Sequence, residues 1–283
     1  FAAYAFVIVG VCLKLALFPL HLWLPNAYTY APSAVTAFLA ATATKVAVYL
    51  LIRFSFTVFG VDFAAFDIPL HTIFIVLGLV AVFSASTVAI MQCNVKRAIA
   101  YSSVAQIGYM IVGLGLGSVV GLQATLLHLF NHALMKGALF MALAAMVLRV
   151  GGSTIDDIAG LGKRMPLTAL AFVVGGLSLI GVPLTVGFVS KWYLVIAALA
   201  QGMWPVAALV VLGSLLAVMY IWRVVEVMYF REAPADAPRG EAPLTMLIPL
   251  GLLVLANLYF GIDTRLPVSV TGEAAFVLLG GGQ

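Results

Sequence analysis

A row of titratable side chains runs through one apolar stretch of the sequence. Residues 122–141 read LQATLLHLFNHALMKGALFM, and this stretch contains His128, His132 and Lys136. The three positions are four residues apart, so on an α-helix they lie along one face. Histidine both donates and accepts protons near neutral pH, and burial disfavours the charged form of lysine. The spacing therefore favours proton transfer along this face.

Three further lysines, Lys14, Lys45 and Lys191, also lie within apolar sequence. A lysine at the centre of a bilayer costs roughly 2.5–3.5 kcal/mol even on the mild insertion scale, so it normally faces a protein interior or a watery path. A single lysine near a helix break could instead extend its ammonium to the membrane interface. Four lysines together with two histidines favour a shared role. The predicted proton path consists of six side chains: Lys14, Lys45, His128, His132, Lys136 and Lys191.

The elements that would position these side chains are membrane-spanning helices. Of the 283 residues, 64% are hydrophobic and 8% are charged, with a mean hydropathy of +1.19. This composition is typical of an all-α polytopic membrane protein. We predict a single transmembrane domain over residues 1–283, located in the cell membrane of a bacterium or archaeon. About eight spans are expected: 1–20, 33–53, 70–91, 98–116, 119–148, a span from about 167, 205–229 and 244–260.

Two of these spans carry helix-breaking residues. Pro19 and Pro25 interrupt the first, and Gly181 and Pro183 interrupt the sixth. Proline lacks a backbone donor and disfavours helix in the residue before it. We therefore predict two broken helices, whose freed backbone groups can hold water. Residues 54–69 are expected to form a loop, and the basic loops 92–97 and 149–166 are expected to face the cytoplasm.

Other chemistries have no support in the sequence. It contains no phosphate-binding GxxxxGK[ST] motif, no dinucleotide-binding motif after a strand and no GxSxG nucleophile motif, so we expect no cofactor and no catalytic triad. Cys12 and Cys93 lack metal-ligand spacing, so we expect neither a metal site nor a disulfide. The net charge of +4 is spread over short loops and helix ends. Membrane topology explains it better than a nucleic-acid partner does.

Four blocks of the sequence resemble, in the same order, the antiporter-like membrane subunits shared by Mrp-type cation/proton antiporters and respiratory complex I. The blocks are KLALFPLHLWLPNAYTYAPSAVTAFLAATATKVAVYLLIR, QCNVKRAIAYSSVAQIGYM, HLFNHALMKGALF and GVPLTVGFVSKWYL. The resemblance extends to about residue 230. Within the family, the sequence resembles the D-type component of the Mrp antiporters in particular.

The resemblance implies a fold of about fourteen helices with two inverted repeats, of which this chain would be the C-terminal part. Lys14 matches the lysine of the broken seventh helix, Lys45 that of the eighth, and Lys191 the lysine or glutamate of the broken twelfth. The other three members of the predicted path match connecting residues of the eleventh helix. In the family the seventh-helix lysine pairs with a glutamate on the fifth helix. We therefore expect the sequence to be N-terminally incomplete.

These observations leave three hypotheses for function. The first is the proton-translocating subunit of a multisubunit Na⁺/H⁺ antiporter, with partner subunits, protons and Na⁺ as its interactors. The second is an antiporter-like subunit of complex I (NADH:quinone oxidoreductase) or of a membrane-bound hydrogenase, which would make it part of a translocase enzyme. The third is a membrane scaffold that carries no protons.

Overall fold

The computed structural model describes residues 2–60, 70–233 and 240–280. These residues form helices and connecting turns, without a β-strand in the described part of the chain. The helices are α1 (Ala2–Leu15), α2 (Trp23–Tyr30), α3 (Ser33–Arg53), α4 (Leu70–Met91), α5 (Val95–Gly115), α6 (Val119–Val150), α7 (Leu161–Arg164), α8 (Pro166–Ile180), α9 (Val186–Ala200), α10 (Trp204–Phe230), α11 (Leu244–Ile262) and α12 (Arg265–Leu278).

Six of the described helices are long and apolar enough to cross a bilayer, namely α3, α4, α5, α6, α10 and α11. Three shorter apolar helices, α1, α8 and α9, belong to the two interrupted segments. This pattern confirms the predicted all-α, multi-pass membrane fold. The apolar outer faces of these helices are the surfaces that a bilayer accommodates.

Helix α6 lies at the centre of the fold. It packs against α3, α5, α8, α9, α11 and α12. The Ser118 hydroxyl caps its start by accepting a hydrogen bond from the Gly121 amide at 3.1 Å, and it ends at Gly151, whose φ of +78° is readily adopted by glycine. Its neighbour α5 is enclosed, since every residue of that helix except Arg97 is buried. Polar groups on the facing sides of α5 and α6 are therefore shielded from lipid.

The structure confirms both predicted helix breaks. Helix α1 ends at Leu15 and α2 begins at Trp23, while α8 ends at Ile180 and α9 begins at Val186. Proline restricts the backbone within both interruptions. The second break also contains Gly181, with a φ of +93°.

One predicted boundary is wrong, and one short helix is absent from the prediction. Residues Phe54–Val58, expected to begin a loop, continue α3 as a π-helix, in which the amide of Phe59 donates to the carbonyl of Phe54 at 3.0 Å. The rest of that predicted loop, with Asp62 and Asp67, lies outside the described residues. Helix α12 is not among the predicted spans. Its sequence, RLPVSVTGEAAFVL, is short and mixes polar with apolar residues, so it lacks the long apolar run that identifies a span.

Candidate proton path

His128 joins three helices inside the fold. Its Nδ1 lies 2.8 Å from the Ser190 hydroxyl on α9, and its Nε2 lies 3.0 Å from the side-chain oxygen of Gln106 on α5. Because that amide oxygen can only accept, a neutral His128 ring donates through Nε2 and accepts from Ser190 through Nδ1. The imidazole is therefore fixed in orientation between two polar neighbours.

His132 lies one helical turn further along α6 and stacks on His128. The ring centroids are 6.0 Å apart and the planes differ by 4°. His132 is fully buried, yet neither of its ring nitrogens has a hydrogen-bond partner among the described residues. Leaving a buried polar group unpaired costs about 1–3 kcal/mol. Both ring nitrogens of His132 are therefore left without a partner among the described residues.

Lys136 occupies the next turn of the same face and is also fully buried. Its ammonium donates to the carbonyl of Ile99 at 2.7 Å and to the hydroxyl of Ser102 at 2.6 Å, both on α5. In the described part of the chain, no carboxylate forms an ion pair with it. A carbonyl and a hydroxyl thus solvate Lys136 without neutralising its charge.

Lys45 approaches this face from α3. Its side chain is buried, and its ammonium donates to the carbonyl of Ala40 on the same helix. Helix α3 packs against α6, the helix that carries His132 and Lys136. The structure therefore places Lys45 on a helix next to the α6 row, and its role in the path stays a prediction.

Lys191 lies at the other end of the row, against the second helix break. Its ammonium donates to the carbonyls of Leu179 and Ile180 at 2.8 and 2.9 Å. These carbonyls belong to the last turn of α8, where the helix dipole favours a cation. The ammonium also lies 4.8 Å from the ring centroid of Tyr109, and that ring is 5.9 Å from the ring of His128. Tyr109 thus lies between Lys191 and His128.

Contacts from α6 and α8 fix the start of α9. The Asn131 side chain donates to the carbonyl of Val186 at 2.6 Å, and the Gly187 amide donates to the Ser178 hydroxyl at 3.3 Å. A Cβ at Gly187 would lie 1.7 Å from the carbonyl oxygen of Ser178, so only glycine permits this approach. The approach holds the start of α9, and with it Lys191 one turn later, beside the end of α8.

Lys14 is the one predicted path residue that the described structure does not bring into this group. It lies in the last turn of α1 with an exposed side chain. Within the described residues it makes no hydrogen bond and no ion pair. Its place in the proton path stays a prediction.

The prediction from sequence did not include four side chains that contact the path: Ser102, Gln106, Tyr109 and Ser190. Ser102 and Gln106 are four residues apart in an apolar span, so their shared face was a usable signal. Ser190 and Tyr109 carry no comparable signal. Their roles depend on which helices become neighbours.

Comparison with known proteins places this arrangement in a family. The family model described as "NADH:quinone oxidoreductase/Mrp antiporter, TM" matches residues 1–217. The chain belongs to this family. The resemblance seen in the sequence blocks is thereby confirmed, and the chain is a multi-pass membrane protein of the antiporter-like type.

A curated relative is NADH-quinone oxidoreductase subunit N of Desulforudis audaxviator (strain MP104C). It is 40% identical over 276 residues, which cover 92% of this chain and 54% of the relative. The chain thus spans about half the length of this relative.

Two solved structures share the fold. A structure of the Mrp complex from Dietzia sp. DQ12-45-1b matches with a TM-score of 0.91 and 26% identity, over 99% of this chain and 60% of that one. The membrane-bound sulfane sulfur reductase, described as an archaeal respiratory membrane complex, matches with a TM-score of 0.88 and 32% identity, over 98% and 55%. The antiporter-like fold is therefore shared with both kinds of complex.

Proposed function

We propose that this chain belongs to the proton-translocating, antiporter-like subunit of a respiratory redox complex of the complex I type. One observation carries the proposal: Lys45 on α3, and His132 and Lys136 on the adjoining α6, are buried without a carboxylate paired to them in the described structure. Buried ionisable side chains are expensive in a membrane and are usually retained for ion transfer. A row of bases, rather than a single one, suits the movement of protons over a distance.

In this proposal the proton moves along α6 between two lysines. Lys136 exchanges a proton with His132, whose two unpaired nitrogens allow one to accept while the other donates. His128 continues the row, because it is stacked on His132 and bonded to Ser190 beside Lys191. Lys45 adds a further buried amine on α3, the helix that packs against α6. Lys14 would connect the path to the remainder of the protein.

The kind of complex is inferred from the relatives. The curated relative is a subunit of NADH-quinone oxidoreductase, and one matching structure is a respiratory complex. These findings support the second hypothesis better than the expected D-type component of an Mrp antiporter. Partner subunits of a redox complex would then supply the energy for proton movement.

Cation/proton antiport is the second candidate, because the fold also matches an Mrp complex with a TM-score of 0.91. Sodium prefers oxygen ligands. The Lys136 environment offers one hydroxyl and one carbonyl, both already bonded to the ammonium. The path is thus better suited to protons than to Na⁺.

The test replaces Lys136 with Met in the full-length protein, assembled in its complex and placed in proteoliposomes. We expect proton translocation driven by electron transfer to fall about 100-fold or more, the scale of losing a proton-transfer group. The control is Lys163→Met at an exposed lysine, which should stay within about twofold. Normal pumping by an assembled Lys136→Met complex contradicts the proposal.

The same vesicles separate the alternatives. A pH gradient that drives Na⁺ exchange in the wild type, with no electron donor, would favour antiport. A Lys136→Met complex that fails to assemble, while a Lys136→Arg complex assembles and pumps normally, would favour the scaffold hypothesis, since only charge and packing would then be needed.

A further inference from the structure

A cleft between α9 and α10 opens beside Lys191. It has a volume of about 310 Å³ and is lined by Lys191, Gly181 and Ser214 together with apolar side chains, among them Trp192 and Leu215. This volume lies at the lower end of the roughly 300–1,000 Å³ of small-molecule sites. An apolar cavity with a few polar groups at one place is the usual composition of such a site.

The polar wall of the cleft carries an uncompensated cation. Lys191 is 6% exposed, and its two hydrogen-bond acceptors are neutral backbone carbonyls. Its other contact among the described residues is with the neutral ring of Tyr109, 4.8 Å from the ring centroid, so no anion offsets its charge there. A Cβ on Gly181 would lie 3.6 Å from the ammonium nitrogen, and both residues line the cleft. The absent side chain at Gly181 therefore leaves the ammonium next to the open space.

The other walls of the cleft are mostly apolar, and the cleft opens onto the outer surface of the described structure. Trp192, Val211 and Leu215 line it and are 52%, 49% and 57% exposed. They lie on α9 and α10, which are both apolar helices, and a bilayer around such helices would present hydrocarbon to the opening. A ligand entering there would come from the membrane and bring an apolar body.

The charge and the apolar wall together define the ligand. We propose that this cleft binds a single-chain amphiphile with an anionic head, with the head at Lys191 and the chain lying between α9 and α10. A buried cation without a counter-ion gains from an anion that reaches it in a low-dielectric setting. The small volume selects one chain rather than two.

Binding of such an amphiphile has a consequence that rests on the proposed function. An anion bound to the Lys191 ammonium competes with the transfer of its proton, so free long-chain acids would inhibit proton translocation. The binding itself depends only on the cleft and its charge. The two claims can therefore fail separately.

The test uses a diazirine-labelled palmitate and the full-length protein in its complex, reconstituted in liposomes. After illumination, peptides are mapped, and we expect labelling on α9 and α10. Leu215→Trp, which fills the opening, should lower labelling about tenfold, as expected when roughly 1.4 kcal/mol of binding is lost. Leu212→Trp is the matched control, because Leu212 lies on the same helix, is 50% exposed and does not line the cleft. It should leave labelling unchanged.

Competitors identify the head group. Palmitate, hexadecyl phosphate and hexadecanol share the chain length and differ in the head. Both anions should compete about tenfold better than the alcohol, because only an anionic head forms a charge-assisted hydrogen bond in which both partners are ionised. The stronger anion tells whether a carboxylate or a phosphate fits best. Equal competition by hexadecanol, labelling outside α9 and α10, or equal loss in both tryptophan variants would overturn the proposal. Proton pumping measured in parallel shows whether the path itself is intact.

Discussion

The two broken helices follow the same sequence pattern but hold their lysines differently. In the first break, the carbonyl of Leu13 accepts a hydrogen bond from the indole of Trp23 at 2.9 Å, and Lys14 is exposed. In the second, the carbonyls of Leu179 and Ile180 accept from the buried ammonium of Lys191. The donor at the first break is therefore a neutral indole N–H, whereas the donor at the second break is an ammonium. Among the described residues, the lysine therefore supports the backbone at the second break but not at the first.

Replacing Lys191 with Met should have the largest effect. It leaves two buried carbonyls without a partner, which costs about 1–3 kcal/mol of unfolding free energy, and it removes the terminal lysine of the proposed path. Proton translocation by the full-length protein in proteoliposomes should fall about 100-fold.

Lys14→Met is the matched variant at the first break. Because Lys14 is exposed and bonds to no described residue, the unfolding free energy should change by no more than about 0.5 kcal/mol. If Lys14→Met destabilises the solubilised protein as much as Lys191→Met does, the difference drawn between the two breaks is wrong.

Gly187→Ala should distort the second break. The new Cβ would lie 1.7 Å from the carbonyl oxygen of Ser178, so α9 must shift away from α8 at a cost of about 1–3 kcal/mol. The thermal unfolding midpoint should fall accordingly. Gly251→Ala is the control, because its Cβ would meet nothing within 4 Å and alanine favours helix by about 1 kcal/mol. Equal midpoints for the two variants would show that the close approach at Gly187 does not constrain the break.

Glu241→Gln tests how the N-terminal end of α8, the first half of the second broken helix, is held. The Glu241 carboxylate accepts from the amide of Leu167 and the hydroxyl of Thr168, both at 2.6 Å, at the start of α8. Loss of its charge there should cost about 0.5–1 kcal/mol. The comparison is Glu232→Gln at an exposed carboxylate, measured by the same thermal unfolding. An unchanged midpoint in both variants would mean that α8 is anchored only at its lysine end.

Trp23→Phe should lower the unfolding free energy less than the Lys191, Gly187 and Glu241 variants do. It removes one neutral hydrogen bond to Leu13 from a side chain that is partly exposed, so about 0.5 kcal/mol is expected. A loss as large as that of Lys191→Met would indicate that the two breaks depend equally on their side-chain donors.

More of the fold than of the candidate site could be predicted from the sequence. Apolar runs and prolines predicted the spans and both breaks, since these signals are local in sequence. Helix α12 was missed because its polar residues interrupt any apolar run. The spacing of His128, His132 and Lys136 predicted one face of α6, and the stacked imidazole rings lie on that face. The pairing of His128 with Gln106 and Ser190 could not be predicted, because it depends on which helices pack together. The exposure of Lys14 likewise depends on tertiary contacts rather than on the local pattern.

The most direct test of the proton path is His132→Phe in the full-length protein. His132 makes no hydrogen bond to any described residue, so a phenyl ring of similar shape should leave the unfolding free energy unchanged or slightly raised, since an unpaired buried polar group is removed. The measurement is proton translocation by the assembled complex in proteoliposomes, with thermal unfolding as the parallel check on folding. The account predicts a stable protein whose translocation falls about 100-fold or more. A stable His132→Phe protein that translocates protons at the wild-type rate would contradict it.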